Sequence, residues 1–479
     1  MTIKWNNLIK TKQILILAVS IIVFSSGSFT AASIAVSQRP KVVIFLLADQ
    51  FGYNTFSQCA DKFQPNGFRQ LLDNGANFTA CKYSGATNQT ACNLSVIATG
   101  AYPWSTGVVG NEWYDRRKQK ISKPVAIEEN SADEGAIGNV TPFYGTTIGD
   151  ELKILSKGQS RVVSISTAQS DALLLAGKCK DEAFWWDNRS GNFIGVNRIS
   201  KSAPAWVGNF NSRRYSERFL GKKWITGAEA NTIADESFYT RFIGTPWSNQ
   251  MLFDFAKESI ERESLGQDDW TDIVNISFPA FEIVGKNYGS DSQESFELVM
   301  RFDQSLTDFL QFLDTKIGLA NCLIVFTAAH GAVPSGEISK VQGNETGTID
   351  ARSFCNQLDA SLSSKLGKAN WVEAFTPPNL YLNLSAIDHS TFKQPDVEKL
   401  AARLGRSITG VAEIYTAFQF FMNQVPCGPQ VSGVQKSYFW GRSGELYVIP
   451  KPGFSFASAD NGTVCGSPYN YETQVPLIF

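Results

Sequence analysis

The stretch Lys41-VVIFLLA-Asp49 limits the possible folds of this chain more than any other feature. Consecutive apolar residues leave no polar face, so a strand made of them must be covered on both sides. That is the situation of an inner strand in a parallel sheet with helices above and below. Asp49 stands at the C-terminal end of the run, the edge at which open α/β sheets place their ligands.

The rhythm recurs along the chain. Residues 161–165, Asp272–Phe278 (DIVNISF) and 322–326 (CLIVF) read as further strands, and residues 292–317 carry helical periodicity. Residues 67–74 (GFRQLLDN) read as a short helix closed by Gly75. The expected architecture is α/β: a mixed, mostly parallel central sheet flanked by helices. Between roughly 180 and 235 the texture changes, with Trp185, Trp186, Trp206 and Trp224 interleaved with Arg, Lys, Asn and Gly. This predicts an inserted cap rather than core sheet, within a main domain spanning 36–479. The cap tryptophans either line a recognition surface or form a small core of the insert's own.

The N-terminus reads as a targeting segment. Lys4, Lys10 and Lys12 precede an apolar run over residues 14–24, and Ala31, Ala32, Ser33 and Ala35 follow. The run falls short of the ~20 residues a membrane span needs. A cleaved secretory signal over 1–33 is expected, with an uncleaved anchor as the alternative. The protein is then exported, periplasmic or extracellular, and meets a membrane only through this segment. A net charge of −2, with no basic block, argues against nucleic-acid binding. None of the eight cysteines forms a CxxC pair, so no thiolate zinc site is indicated, and any disulfide pairing stays open.

Polar residues gather where strands end: Asp49, the segment 87–95, Glu282 with Lys286, and His330. The segments "VVIFLLADQ", "FRQLLDNGANFTACKYSGATNQTACNLSVIATGAYPWSTGVVGNEWYD", "GNFI", "GKNYGSDSQE", "LIVFTAAHGAVP" and "GSPYNYETQVPLIF" run in order over residues 41–479. In these the chain resembles the alkaline-phosphatase superfamily, in its nucleotide pyrophosphatase/phosphodiesterase branch and the related monoesterases. The resemblance implies an alkaline-phosphatase-like fold and a pair of zinc ions flanking in-line displacement at phosphorus by a Thr or Ser nucleophile.

Position by position, it implies Thr90 as nucleophile and Asn111 as a phosphate-binding residue, while a shifted register would put Gln89 at the nucleophile. Among the metal ligands, Asp49 and His330 are retained and Glu282 replaces an Asp. The other ligand positions are degenerate: Lys286 stands for a His, Ala329 for an Asp and Gln474 for a His. An ammonium has no lone pair to offer a metal. The positive phosphate clamp of the monoesterases is lost, its positions being Ala168 and Ser170. Lys286 either stands in for the missing metal charge or forms an ordinary helical pair with Glu282.

A count independent of register points the same way. The chain has two histidines, His330 and His389, whereas the family's two-zinc centre takes three. The expectation is no metal, or at most one ion, and a hydrolase fold with weak or lost activity that binds a phosphate-bearing small molecule through Thr90 and Asn111. The alternatives are a working phosphomonoesterase or phosphodiesterase with a single-metal or rebuilt centre, and an envelope interaction module.

Overall fold

The computed structural model describes residues 39–126, 139–140, 143–197, 202–224, 232–334, 345–458 and 462–479. The expected signal segment, 1–33, lies outside the described residues. Among the described residues no helix is long and apolar enough to cross a membrane.

The central sheet has seven strands: β1 (Val42–Ala48), β2 (Val162–Ser166), β3 (Glu182–Asp187), β4 (Asn192–Asn197), β5 (Asp272–Phe278), β6 (Cys322–Ala328) and β7 (Leu477–Ile478). Their order is β7-β6-β1-β5-β2-β3-β4. The inner strands from β6 to β3 run parallel, and β7 and β4 are antiparallel edges. The helices that concern the site are α1 (Thr90–Thr99), α2 (Gln169–Ala176), α3 (Pro246–Arg262), α4 (Ala280–Tyr288) and α5 (Gln293–Lys316).

The apolar run behaves as its composition requires. Val42, Ile44 and Leu46 of β1 enter the large core cluster that also holds Phe253 and Phe255 of α3 and Phe302 and Phe309 of α5. Phe45 and Leu47 point the other way, into a cluster with Leu94 and Ala98 of α1 and Leu175 of α2. The helix expected over 292–317 forms as α5, with the Ser292 side chain accepting from Ser295 N–H at its start. It buries Leu298, Phe302, Leu306, Phe309 and Leu313 along one face.

Register fixes where the site can form. Val42 lies level with both Asp272 and Cys322, so Ala48 lies level with Phe278 and Ala328. The residues immediately after these strands therefore emerge together, at one edge of the sheet.

The stretch expected as a cap is corrected in part. Residues 182–197 are not an insert; they form β3 and β4 of the central sheet. Adjacent strand residues face opposite ways. Trp186 accordingly joins the main core beside Phe193 and Phe242, while Trp185 packs in a separate cluster with Leu173 and Val196. The polar residues that disguised this hairpin belong to its turn, where Asp187 accepts from the amides of Arg189 and Ser190. Beyond the hairpin, Phe210 and Tyr215 stack against each other, and Phe210 packs edge-on against Phe255 of α3 at 5.0 Å.

A second sheet was not anticipated. Val372–Thr376, Asn379–Leu382, Leu446–Pro450 and Val411–Thr416 lie side by side in that order. Its own apolar cluster includes Leu358 and Leu362 from the helix Ala351–Leu366.

Candidate active-site cleft

A cavity of about 320 Å³ opens at the C-terminal edge of the central strands. Asp49 follows β1, His330 follows β6, and Thr90 is the first residue of α1; all three line the cavity and are at least nine-tenths buried. The Thr90 hydroxyl donates to the Asp49 carboxylate, at 3.0 Å to Oδ2 and 3.2 Å to Oδ1. His330 Nε2 lies 3.4 Å from both Thr90 Oγ1 and Asp49 Oδ1. Its other ring nitrogen, Nδ1, is 2.7 Å from the Gly331 carbonyl oxygen. A carbonyl can only accept, so Nδ1 carries the proton and Nε2 presents its lone pair to the cleft.

This corner is braced by amide side chains. Gln89 sits at the N-cap of α1 but does not cap it. Its Nε2 donates to the carbonyls of Pro377 and Cys465, and its Oε1 accepts from Asn111 N–H. Asn111 in turn accepts the Ala91 N–H, one of the open donors at the start of α1, through Oδ1 at 2.9 Å. Asn93 Nδ2 donates to the Ala329 carbonyl at 2.7 Å and to Asn88 Oδ1 at 3.1 Å. At its far end α1 stops at Gly100, which takes the left-handed conformation (φ 68°) that glycine adopts without steric cost.

The opposite wall is built from α4. Glu282, in its first turn, and Lys286, one turn later, form an ion pair of 2.6 Å. Both line the cavity, with side chains 20% and 33% exposed. Lys286 thus forms the helical pair with Glu282 and also lines the cleft.

Charge is crowded here. Burial, then the charges of Glu282 and Asp171, push the Asp49 carboxyl well above its ordinary range. Burial raises Asp171 to about 6, against hydrogen bonds from Ser277 and Ser170. Burial holds His330 below its usual value. Burial pulls Lys286 down, but the charge and hydrogen bond of Glu282 outweigh it and the net shift is upward.

Asp49, Glu282 and His330 each bring a ligand atom within 4.8 Å of the others, which is a donor set for a single cation. A pair of dications does not fit the cleft. His330 is its only imidazole, since His389 is exposed and bonded to the Ser385 carbonyl. Lys286 offers no lone pair. Ala329 faces the apolar cluster of Leu47 and Leu94 rather than the cavity. Gln474 does not line the cavity either, and its side-chain amide donates to the Thr79 carbonyl at 2.9 Å.

The expected positions Asp49, Thr90, Asn111, Glu282, Lys286 and His330 are therefore brought together, as are the lost-clamp positions Ala168 and Ser170; Ala329 and Gln474 are not. Among the further residues that line the cavity are Asp171 of α2, Thr376 of the second sheet, and Cys465, whose thiol is held protonated by burial. Asp171 lies just past the end of β2, so the strand-end reasoning that picked out Asp49 reaches it too. No comparable sequence signal marks Thr376 or Cys465.

The chain is 26% identical over 491 residues to alkaline phosphatase PafA of Elizabethkingia meningoseptica, covering 95% of this chain and 89% of that protein. It is 26% identical over 485 residues to alkaline phosphatase PhoV of Synechococcus elongatus, covering 92% and 85%. The crystal structure of wild-type PafA shares its fold with a TM-score of 0.83 at 24% identity, covering 92% of this chain and 90% of that one. Residues 43–475 match the model of one family from the first central strand to the last turn before β7, and by that match the chain belongs to the type I phosphodiesterase / nucleotide pyrophosphatase family.

Proposed function

We propose that this protein is a phosphate-ester hydrolase relative whose turnover is weak or lost and whose cleft serves to bind a small molecule. The observation that carries this reading is the 2.6 Å ion pair of Glu282 and Lys286 in the cleft wall. The ammonium stands where the family resemblance calls for an imidazole ligand. It repels a dication instead of holding it. It also occupies Glu282, one of the donors that a second ion would need.

The chemistry that remains is partial. Thr90 keeps a carboxylate and an imidazole within hydrogen-bond range, the arrangement that readies a hydroxyl for attack. What is missing is stabilisation of the charge that builds on the phosphoryl group and on the leaving oxygen. Ala168 and Ser170 offer no positive group in its place.

A second reading is favoured by the 4.8 Å grouping of Asp49, Glu282 and His330: an esterase with a single cation. Thr90 would then be the nucleophile, with Asp49 and His330 as ligands and Asn111 steadying a phosphoryl oxygen. Export to the periplasm or beyond is part of the proposal and rests on the lysine-flanked apolar segment at the N-terminus.

Metal content and turnover of aryl phosphate mono- and diesters, measured on one preparation of the full chain, test the proposal. The expected result is substoichiometric zinc and no turnover that depends on Thr90, judged against Thr90→Ala. A full pair of zinc ions with Thr90-dependent turnover overturns it. One bound ion with Thr90-dependent turnover establishes the single-cation esterase.

A further inference from the structure

Away from the cleft, the edge of the central sheet holds a buried carboxyl group that pairs with no cation among the described residues. Glu182 is the first residue of β3, level with Val163 of β2 on one side and Asn197 of β4 on the other. It is 1% exposed. Asn197 Nδ2 donates to its Oε1 at 2.9 Å, while Oε2 is buried without a hydrogen-bond partner. We infer that Glu182 makes this edge a proton-dependent latch: with a neutral carboxyl the β3–β4 hairpin stays closed, and with an ionised one it opens more readily.

The neighbours make the charge costly. Two cations of this corner are held by other carboxylates. Arg161, just before β2, pairs with the Glu263 carboxylate at 2.5 Å and also donates to the Glu263 carbonyl. Lys153, on the helix Ile148–Leu155, pairs with Asp181 at 2.6 Å and donates to the Ser160 carbonyl. Glu263, at the end of α3, faces Glu182 with a like charge, and its other oxygen accepts from the Trp206 indole on the helix Ala205–Asn211. Asp181 adds a second like charge. An ionised Glu182 would thus have one amide donor for two oxygens, which favours the neutral form. Burial, then the charge of Glu263, pushes the carboxyl up to about 7, and the Asn197 hydrogen bond and the Arg161 charge offset this only in part.

Position in the sheet lets this cost be relieved locally. Among the described residues β4 pairs only with β3, so it can part from the sheet without unravelling the inner strands. Opened to water, Glu182 returns to the ordinary carboxyl range near 4.5, so the closed hairpin holds the proton more tightly than the open one. Closure is therefore fully favoured below that ordinary value, and the advantage is lost as pH rises to about 7. The opening reaches the cleft from behind. Trp185 of β3 and Val196 of β4 pack with Leu173 of α2 and with Ala91 and Val125. Ala91 and Val125 line the cavity, so a loosened hairpin withdraws support from its wall.

Amide hydrogen exchange of the full chain tests the latch, followed in β4 and corrected for the intrinsic pH dependence of exchange. Protection of the β4 amides is expected to fall at least about tenfold between about pH 5 and about pH 8. Glu182→Gln keeps an acceptor for Asn197 and cannot ionise, so its β4 protection should stay within about twofold over the same range. Glu182→Met, apolar and of similar length, serves if the amide variant does not fold. Wild-type protection that is flat with pH overturns the inference. So does a fall that persists undiminished in either folded variant.

Discussion

The wall of the cleft that carries Thr90 and the wall that carries Lys286 are held in different ways. Around Thr90, buried polar side chains are tied to distant parts of the chain: Asn93 to Ala329, Gln89 to Pro377 and Cys465, Thr87 to Tyr447. Around Lys286, the pair is made within one helix and is partly open to solvent. Gln474 sits farther off, bonded to a loop carbonyl away from the cavity. The difference teaches that the Thr90 wall is part of the long-range framework of the fold, whereas the pair on the α4 wall is a local one.

The comparison can be broken by mutation. Asn93→Ala should produce the largest loss, about 2–3 kcal/mol of unfolding free energy in urea, because it leaves the Ala329 carbonyl and Asn88 without a buried donor. A loss near zero would mean that the Thr90 wall is not the braced one. Lys286→Met should cost less, about 1 kcal/mol, since Glu282 loses its partner but keeps access to water. A cost as large as that of Asn93→Ala would erase the distinction between the walls. Gln474→Ala should be nearly silent, within about 0.5 kcal/mol, and a larger shift would show that its bond to Thr79 matters to the fold.

The parts legible from sequence were those that a single physical requirement dictates. β1 is apolar throughout, and β5 and, from Ile324 onward, β6 are buried on both faces. Their ends supply Asp49, the α4 pair and His330 at one level because the strands share register. The β3–β4 hairpin was hidden because its Asp-Asn-Arg-Ser turn interrupts the apolar pattern and its tryptophans serve two different cores. The second sheet was hidden because its strands are short and pair across intervening helices, so no local periodicity announces them. Its contributions to the cleft, Thr376 above all, were hidden with it. Gln474 matched its expected place in the sequence, but its side chain turns from the cavity to a neighbouring carbonyl, a choice of direction that sequence does not encode.

The bonds that brace Thr90 also govern when the cleft can form. They join residues separated by 236 positions at Asn93–Ala329, 376 at Gln89–Cys465 and 379 at Asn88–Ser467. Contacts so remote in the chain bear a heavy loop-closure entropy and are slow to assemble. During synthesis the early segment must wait, its amides turned to water, until the final stretch emerges. A nascent chain released short of Ser467 would carry Asn88 without its far partner, and the pocket would stand with one side missing.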